Sequence, residues 1–124
     1  MIPAPDEIFG IEALTHHEGQ ITANLCINAK SSIFNGHFLG QPVVPGACML
    51  QLVKDVLEEN LNTSLQLNKA GNIKFISMII PTDSPTANMS ISYKINDAGE
   101  VNVNAKLLTG EVTCFKLQGI FTKV

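Results

Sequence analysis

Apolar and polar residues alternate along several stretches of the chain, and this alternation is typical of β-strands with one buried face. It is clearest over residues 21–28, 91–95 and 101–107. The C-terminal run, residues 111–122, is rich in the β-branched and aromatic residues that favour strands. We therefore predict a strand in each of these four stretches.

Turn residues separate these strands and predict how they are connected. Asn96–Gly99 and Thr109–Gly110 have the composition of tight turns, so the last strands should form antiparallel hairpins. A first strand over about residues 8–15 should turn back near Gly19. Residues 73–80 are almost continuously apolar, which favours a central strand that ends at Pro81.

One stretch follows a helical period instead. Between Gly46 and Leu61, apolar residues recur three and four positions apart, and Pro45 stands just before the stretch, a favoured place for proline at a helix start. The apolar positions are Ala47, Met49, Leu50, Leu52, Val53, Val56, Leu57 and Leu61. We predict a helix over Gly46–Leu61 that is apolar on most sides and therefore enclosed.

The element order is strand, strand, loop, helix and then four strands. With 124 residues, the chain is long enough for one domain, residues 1–124, and too short for two ordinary ones. One long apolar helix with one antiparallel sheet is an α+β layer arrangement. We expect the sheet to curl around the helix.

Composition excludes several classes of protein. Apolar residues make up 45% and charged residues 15% of the chain, which excludes disorder for most of it. The net charge is −3 and all eight basic residues are lysines, so a nucleic-acid partner is not expected. No apolar run is long enough to span a membrane. Three widely spaced cysteines and no visible signal peptide favour a reducing, cytoplasmic location and indicate no metal site.

Candidate chemistry is concentrated in the loop over residues 35–46, which carries three glycines and two prolines around His37. Glycines let backbone approach a ligand closely, and the loop delivers an imidazole next to the predicted helix start. Free amides at a helix start can polarise a carbonyl oxygen, so the pair suits removal of a proton from the adjacent carbon. A purely structural or exposed histidine is the alternative.

The loop also resembles a family signature. Its sequence HFLGQPVVPG, residues 37–46, is similar to the H-F-x-G-x-P-x-x-P-G motif of the 3-hydroxyacyl-acyl-carrier-protein dehydratases, which have the hot-dog fold. Residues 70–75 and 80–83 are similar to the family's next stretch. The resemblance covers most of the chain and matches the predicted element order.

The resemblance implies roles for individual residues. His37 would remove a proton from C2 of a 3-hydroxyacyl thioester, while the Gly46 amide would hold the thioester carbonyl oxygen. The acyl chain would lie beside the helix, at a dimer interface, and no metal or redox cofactor would be needed. The substrate-binding residues implied are Phe38, Gly40, Val43, Pro45, Leu50 and Phe75.

One position departs from the family. Fourteen residues after the histidine the dehydratases carry Glu or Asp, and this chain carries Gln51, whose amide can hold a hydroxyl or water but has no titratable proton near neutral pH. Asp55, one turn further along the helix, should be a solvated charge, with a water relay as the alternative. Three hypotheses follow: an altered active dehydratase, a subunit whose acid comes from another chain, or a protein that only binds acyl thioesters.

The leading functional prediction is reversible dehydration of a 3-hydroxyacyl-acyl-carrier-protein to the trans-2-enoyl thioester, in fatty-acid or polyketide-type synthesis. The alternatives are a hot-dog acyl-thioester hydrolase and a non-catalytic binding or partner subunit.

Expected partners are a carrier-protein or coenzyme A thioester and a second hot-dog chain, in a homodimer, a dimer of dimers or a complex with another chain. Lys30, Lys54 and Lys74 could form a weak docking patch. Cys48 is predicted to be a small packing residue, and His16 and His17 to be exposed.

Overall fold

The computed structural model describes residues 8–31, 34 and 43–124. One helix and six strands lie within them. They are β1 (Phe9–His17), β2 (Gln20–Ile27), α1 (Gly46–Leu61), β3 (Leu65–Phe75), β4 (Thr86–Ile95), β5 (Val101–Thr109) and β6 (Val112–Lys123).

The six strands form one sheet in the order β1-β2-β4-β5-β6-β3, and every neighbouring pair is antiparallel. Consecutive strands joined by short turns pair directly, as the turn residues predict. The helix follows β2, and β3 then returns to the far edge of the sheet beside β6. This is the hot-dog arrangement, so the predicted α+β fold is confirmed.

The core lies between one face of the sheet and one side of α1. The alternating residues of β2, β4 and β5 point into it, and Ile21, Leu25 and Ile91 have no exposed surface. The residues that α1 contributes are Met49, Leu52, Val53, Val56 and Leu57. Since burial of such a side chain contributes about 1.5–3 kcal/mol, this face determines where the helix lies.

The opposite side of α1 is open in the single chain. Ala47, Gln51, Asp55 and Glu59 are all exposed and are spaced four residues apart, so they form a stripe along the helix. The sheet therefore covers one side of the helix and leaves a stripe of mixed polarity that includes the candidate residue Gln51.

The prediction of a central strand over residues 73–80 is wrong. β3 ends at Phe75 and is an edge strand, and the segment after it is irregular. Only Ile79 in this apolar run is fully buried, whereas Ile76 and Met78 are 52% and 68% exposed. A continuous apolar run also arises when some of its residues face something other than the chain's own core.

The first hairpin is slightly longer than predicted. β1 continues to His17, and the turn at Gly19 has a φ of 78°, a conformation that glycine adopts at no steric cost. His16 and His17 are exposed, as predicted, and the His16 Nε2 lies 2.7 Å from the Tyr93 hydroxyl. This contact ties β1 to β4 across β2.

Gly119 should be essential for stability, because β3 passes unusually close to it. A Cβ at this buried position would lie 2.8 Å from the Lys69 carbonyl oxygen, a backbone atom that cannot swing away. We expect Gly119→Ala to lower the free energy of unfolding by about 1–3 kcal/mol, measured as a lower urea midpoint at constant slope.

The matched control is Gly71→Ala on the facing strand. A Cβ there would meet only the Gln118 carbonyl oxygen, at 3.3 Å, and the position is exposed. The control should cost less than about 1 kcal/mol. Equal midpoints for the two variants would contradict the close approach of β3 to β6.

Candidate active site

Six of the nine predicted site residues lie in the described part of the chain. They are Val43, Pro45, Gly46, Leu50, Gln51 and Phe75. The other three, His37, Phe38 and Gly40, lie outside the described residues. The structure therefore defines the helix side of the site.

The helix start is suited to holding an oxygen atom. Pro45 is the N-cap and makes no side-chain hydrogen bond to the first turn, and no acidic residue lies in that turn. The Cys48 N–H donates to the Pro45 carbonyl at 3.0 Å. The amides of Gly46 and Ala47 precede that bond, and they carry the partial positive charge of the helix N-terminus.

Phe75 covers this helix start. A Cβ on Gly46 would lie only 2.5 Å from the Phe75 Cε1 atom, so the aromatic ring rests directly on the glycine backbone. The ring also packs against Phe115, with 5.3 Å between centroids, and is still 58% exposed. The structure thus brings together two of the predicted site residues that are far apart in sequence.

Backbone hydrogen bonds hold the two halves of the site in place. The Val44 N–H donates to the Ile79 carbonyl at 2.9 Å, which fixes the chain just before α1. The Ile76 N–H donates to the Cys114 carbonyl at 2.8 Å, which fixes the chain just after Phe75. The irregular segment after β3 therefore holds the chain before α1, and β6 in turn holds the start of that segment next to the aromatic ring.

Gln51 is oriented by Asp55. Its Nε2 donates to the Asp55 Oδ1 at 2.8 Å, and both side chains are exposed on the open stripe of α1. A carboxylate only accepts hydrogen bonds, so the amide nitrogen faces Asp55 and Oε1 can accept from a hydroxyl or a water. Asp55 is exposed, as predicted, and it also accepts this hydrogen bond, since Gln and Asp four residues apart on a helix form a stabilising pair.

The predicted docking patch of lysines is not one surface. Lys54 lies on α1, 3.8 Å from the Glu58 carboxylate, whose other contact is the Leu65 N–H at 2.8 Å. Lys74 precedes Phe75 in β3 and therefore points to the opposite face of the sheet. Since the Phe75 ring lies on the helix, Lys54 and Lys74 lie on opposite sides of the sheet.

Cys48, in the first turn of α1, is a packing residue rather than a nucleophile. It is half-buried and contacts the core, and burial raises the pKa of its thiol. A higher pKa keeps the thiol protonated near neutral pH, whereas a nucleophile needs the thiolate. All three cysteines are free thiols.

Across residues 8–31, 34 and 43–124, no three metal-ligating side chains come together. Within the same ranges, no helix has both the length and the apolar character needed to cross a membrane.

Residues 13–108 match the family model of the ApeI-like dehydratases, described as ApeI dehydratase. The chain belongs to the ApeI-like dehydratase family. The resemblance to hot-dog dehydratases inferred from residues 37–46 is thereby confirmed at the level of this family.

Solved structures agree on the fold. The dehydratase heterocomplex ApeI:P from Xenorhabdus doucetiae superposes with a TM-score of 0.68 at 14% identity, covering 91% of this chain and 96% of that chain. The E. coli PaaI protein from the phenylacetic acid degradation operon gives a TM-score of 0.66 at 13% identity, covering 94% and 79%. A proposed thioesterase from Shewanella oneidensis gives 0.58 at 10% identity, covering 94% and 82%.

Proposed function

We propose that this member of the ApeI-like dehydratase family acts on 3-hydroxyacyl thioesters and eliminates water to give the trans-2-enoyl thioester. The acyl carrier is a carrier protein or coenzyme A. The observation that carries the proposal is the uncapped start of α1 at Gly46 under the Phe75 ring, in a chain of this family. It provides amide donors for a carbonyl oxygen beside an apolar surface for an acyl chain.

In the proposed reaction, the imidazole of His37 takes a proton from C2, which is acidic because it is next to the thioester carbonyl. Negative charge moves to the carbonyl oxygen, where the Gly46 amide and the helix dipole stabilise it. The C2–C3 double bond then forms as the C3–O bond breaks. The departing hydroxyl leaves as water once it has received one proton.

Gln51 positions that hydroxyl and does not protonate it. With Nε2 held by Asp55, the Gln51 Oε1 accepts a hydrogen bond from the 3-hydroxyl and fixes its direction. The proton on the departing oxygen then comes from the imidazolium of His37, which has just received one from C2. Proton balance is complete without an acid at position 51.

A second candidate is a subunit that shares its site with another hot-dog chain, which would supply the missing acid. It is supported by three exposed apolar side chains next to the site, those of Phe75, Ile76 and Met78. Apolar patches at a functional edge are typical of protein–protein contacts. The solved ApeI:P structure is itself a heterocomplex, and we infer a paired assembly here, either of two copies or with a second chain.

The test is an assay of the purified chain, alone, with 3-hydroxyacyl-coenzyme A and 3-hydroxyacyl-carrier-protein. Enoyl thioester formation by the chain alone supports the dehydratase. Enoyl formation only after addition of a second hot-dog chain supports the partner subunit. Release of free thiol would overturn both in favour of hydrolysis, and no product in either format would leave thioester binding as the function.

Contact between Gly46 and Phe75 gives a separate prediction. Gly46→Ala should displace the Phe75 ring, because the new Cβ would overlap it, and should lower kcat/KM by about tenfold through lost order at the helix start. The Phe75→Ala variant should have its own defect. The loss in kcat/KM of the double variant should be clearly smaller than the sum of the two single-variant losses, because without the Phe75 ring the new Cβ has nothing to overlap.

The readout is a double-mutant cycle in kcat/KM, with thermal unfolding of all four proteins as a control for folding. Additive losses would show that the ring and the glycine do not act on one another.

A further inference from the structure

Three lysines form a row across the outer face of the sheet, the face turned away from α1. Lys106 of β5 is the direct cross-strand partner of Lys116 of β6, and Lys116 is also the direct partner of Lys74 of β3. Direct partners point to the same face, and all three are exposed. Neighbouring strands lie about 4.8 Å apart, so the lysine row spans about 10 Å.

No carboxylate on these strands balances the row. β3, β4, β5 and β6 contain no Asp or Glu at all. Among the described residues, the ion pair found is Lys54–Glu58, on the other side of the sheet. Like charges directly opposite each other destabilise a sheet, so the fold carries an electrostatic cost at the lysine row. A cost of this kind without a structural gain is typical of a binding site.

The lysine row lines a groove of about 420 Å³. The next row of side chains on this face is uncharged and polar, and it supplies hydroxyl and amide groups to the same groove. The polar residues of this next row are Asn72, Ser92, Asn104 and Gln118, and Ser90 extends the lysine row onto β4 as the cross-strand partner of Lys106. The side-chain amides of Asn72, Asn104 and Gln118 can donate hydrogen bonds to ligand oxygen atoms, whereas the Ser92 hydroxyl already donates to the Gln20 Oε1 at 2.7 Å. The lysine ammonium groups act as point charges for phosphate.

We propose that the groove along the lysine row binds the diphosphate group of a small-molecule ligand. A diphosphate carries several negative charges along a short rod, which matches three ammonium groups in a line. A protein partner fits less well, because protein interfaces need apolar or aromatic anchors in their core, and the groove is lined mainly by polar side chains. Nucleic acid fits less well because the chain has net charge −3 and no arginine.

This site is separate from the candidate active site. Lys74 and Phe75 are consecutive in β3, so their side chains point to opposite faces, one to the groove and one to the start of α1. Diphosphate binding can therefore be present or absent whether or not the chain dehydrates a thioester.

The experiment is calorimetric titration of the full chain with inorganic pyrophosphate at low ionic strength. We expect a dissociation constant below about 1 mM that weakens with added salt. Lys116→Gln removes the central lysine of the row and should weaken binding at least about tenfold. Lys123→Gln makes the same charge change on the same strand, outside the groove, and should leave binding within about twofold.

Three further ligands show whether the groove recognises a single phosphate, a nucleotide diphosphate or an acidic protein segment. Inorganic phosphate should bind more weakly than pyrophosphate, and ADP at least as tightly if the ligand is a nucleotide. An ADP affinity equal to that of pyrophosphate would indicate that only the diphosphate is recognised, which still supports the proposal. Tighter binding of an acidic polyglutamate peptide than of pyrophosphate, lost in Lys116→Gln, would overturn it in favour of a protein partner.

Thermal unfolding provides an independent readout. Without ligand, Lys116→Gln should melt a few degrees higher than the natural chain, because it relieves like-charge repulsion. Pyrophosphate should raise the melting temperature of the natural chain and of Lys123→Gln, but not that of Lys116→Gln. No saturable pyrophosphate binding by the natural chain, or equal binding by the two variants, would overturn the proposal.

Discussion

Replacing His37 with alanine should reduce the rate of enoyl thioester formation by at least about 10²- to 10⁴-fold, the contribution of a positioned general base. In the proposed reaction this imidazole carries the proton from C2 to the departing hydroxyl, so its loss removes both transfers. The measurement is kcat with saturating 3-hydroxyacyl thioester. KM should change much less, because the Gly46 amide still holds the carbonyl.

The control is His17→Ala, which removes an exposed imidazole at the end of β1, outside the site. It should leave kcat unchanged, and both variants should keep the melting temperature of the natural chain within a few degrees. Dehydration by His37→Ala at an undiminished rate would remove His37 from the mechanism and leave only the fold and the family.

Gln51→Glu should raise the dehydration rate by about 10²-fold, because it supplies an acid where the natural chain has none. The neighbouring Asp55 should keep the introduced carboxyl group protonated, and therefore able to act as an acid, over a wider pH range. The new carboxyl would lie at hydrogen-bond distance from the Asp55 carboxylate, and a like charge so close raises the pKa of the introduced group. A raised pKa keeps it protonated at higher pH, so the rate gain should be full below that pKa and disappear as pH rises through it.

Two further variants separate acid catalysis from simple geometry. Gln51→Leu has no hydrogen-bonding group and should be slower than the natural chain. The double variant Gln51→Glu with Asp55→Asn lacks the neighbouring charge, so its rate gain should move to lower pH. An unchanged or lower rate in Gln51→Glu would show that the native chemistry never uses this position as an acid.

The sequence was most informative where one pattern had one physical explanation. The apolar period between Gly46 and Leu61, with Pro45 in front, predicted the helix with the bounds that the structure has. Strict alternation predicted the buried faces of β2 and β5, whose inward residues are almost fully enclosed. Both patterns reflect burial against the chain's own core, which a single sequence encodes directly.

Prediction failed for residues 73–80 because the apolar character there has two origins. Ile79 is buried in the core, whereas Ile76 and Met78 are exposed beside the candidate site. Hydrophobicity alone does not distinguish a residue packed within one chain from one that faces a ligand or a neighbour. The edge position of β3 depends on the order of the strands in the sheet, and the local sequence of this segment does not reveal that order.

The lysine row could not be predicted from the sequence for a similar reason. Alternation places Lys74, Lys106 and Lys116 on outward positions, but their alignment depends on the register of three strands that are distant in sequence. The Gln51–Asp55 contact, in contrast, was accessible, since a separation of four residues on a helix places both side chains on one face.

The irregular pairing of β3 has a consequence for how the protein behaves at high concentration. Its register shifts between Leu67 and Lys69 and again between Ala70 and Asn72. A flat edge that exposes Phe75 would invite further chains to add as strands, and such growth has no natural end. Because the two bulges break the repeat of backbone donors and acceptors, filament growth along this edge is discouraged, and concentrated solutions should remain clear.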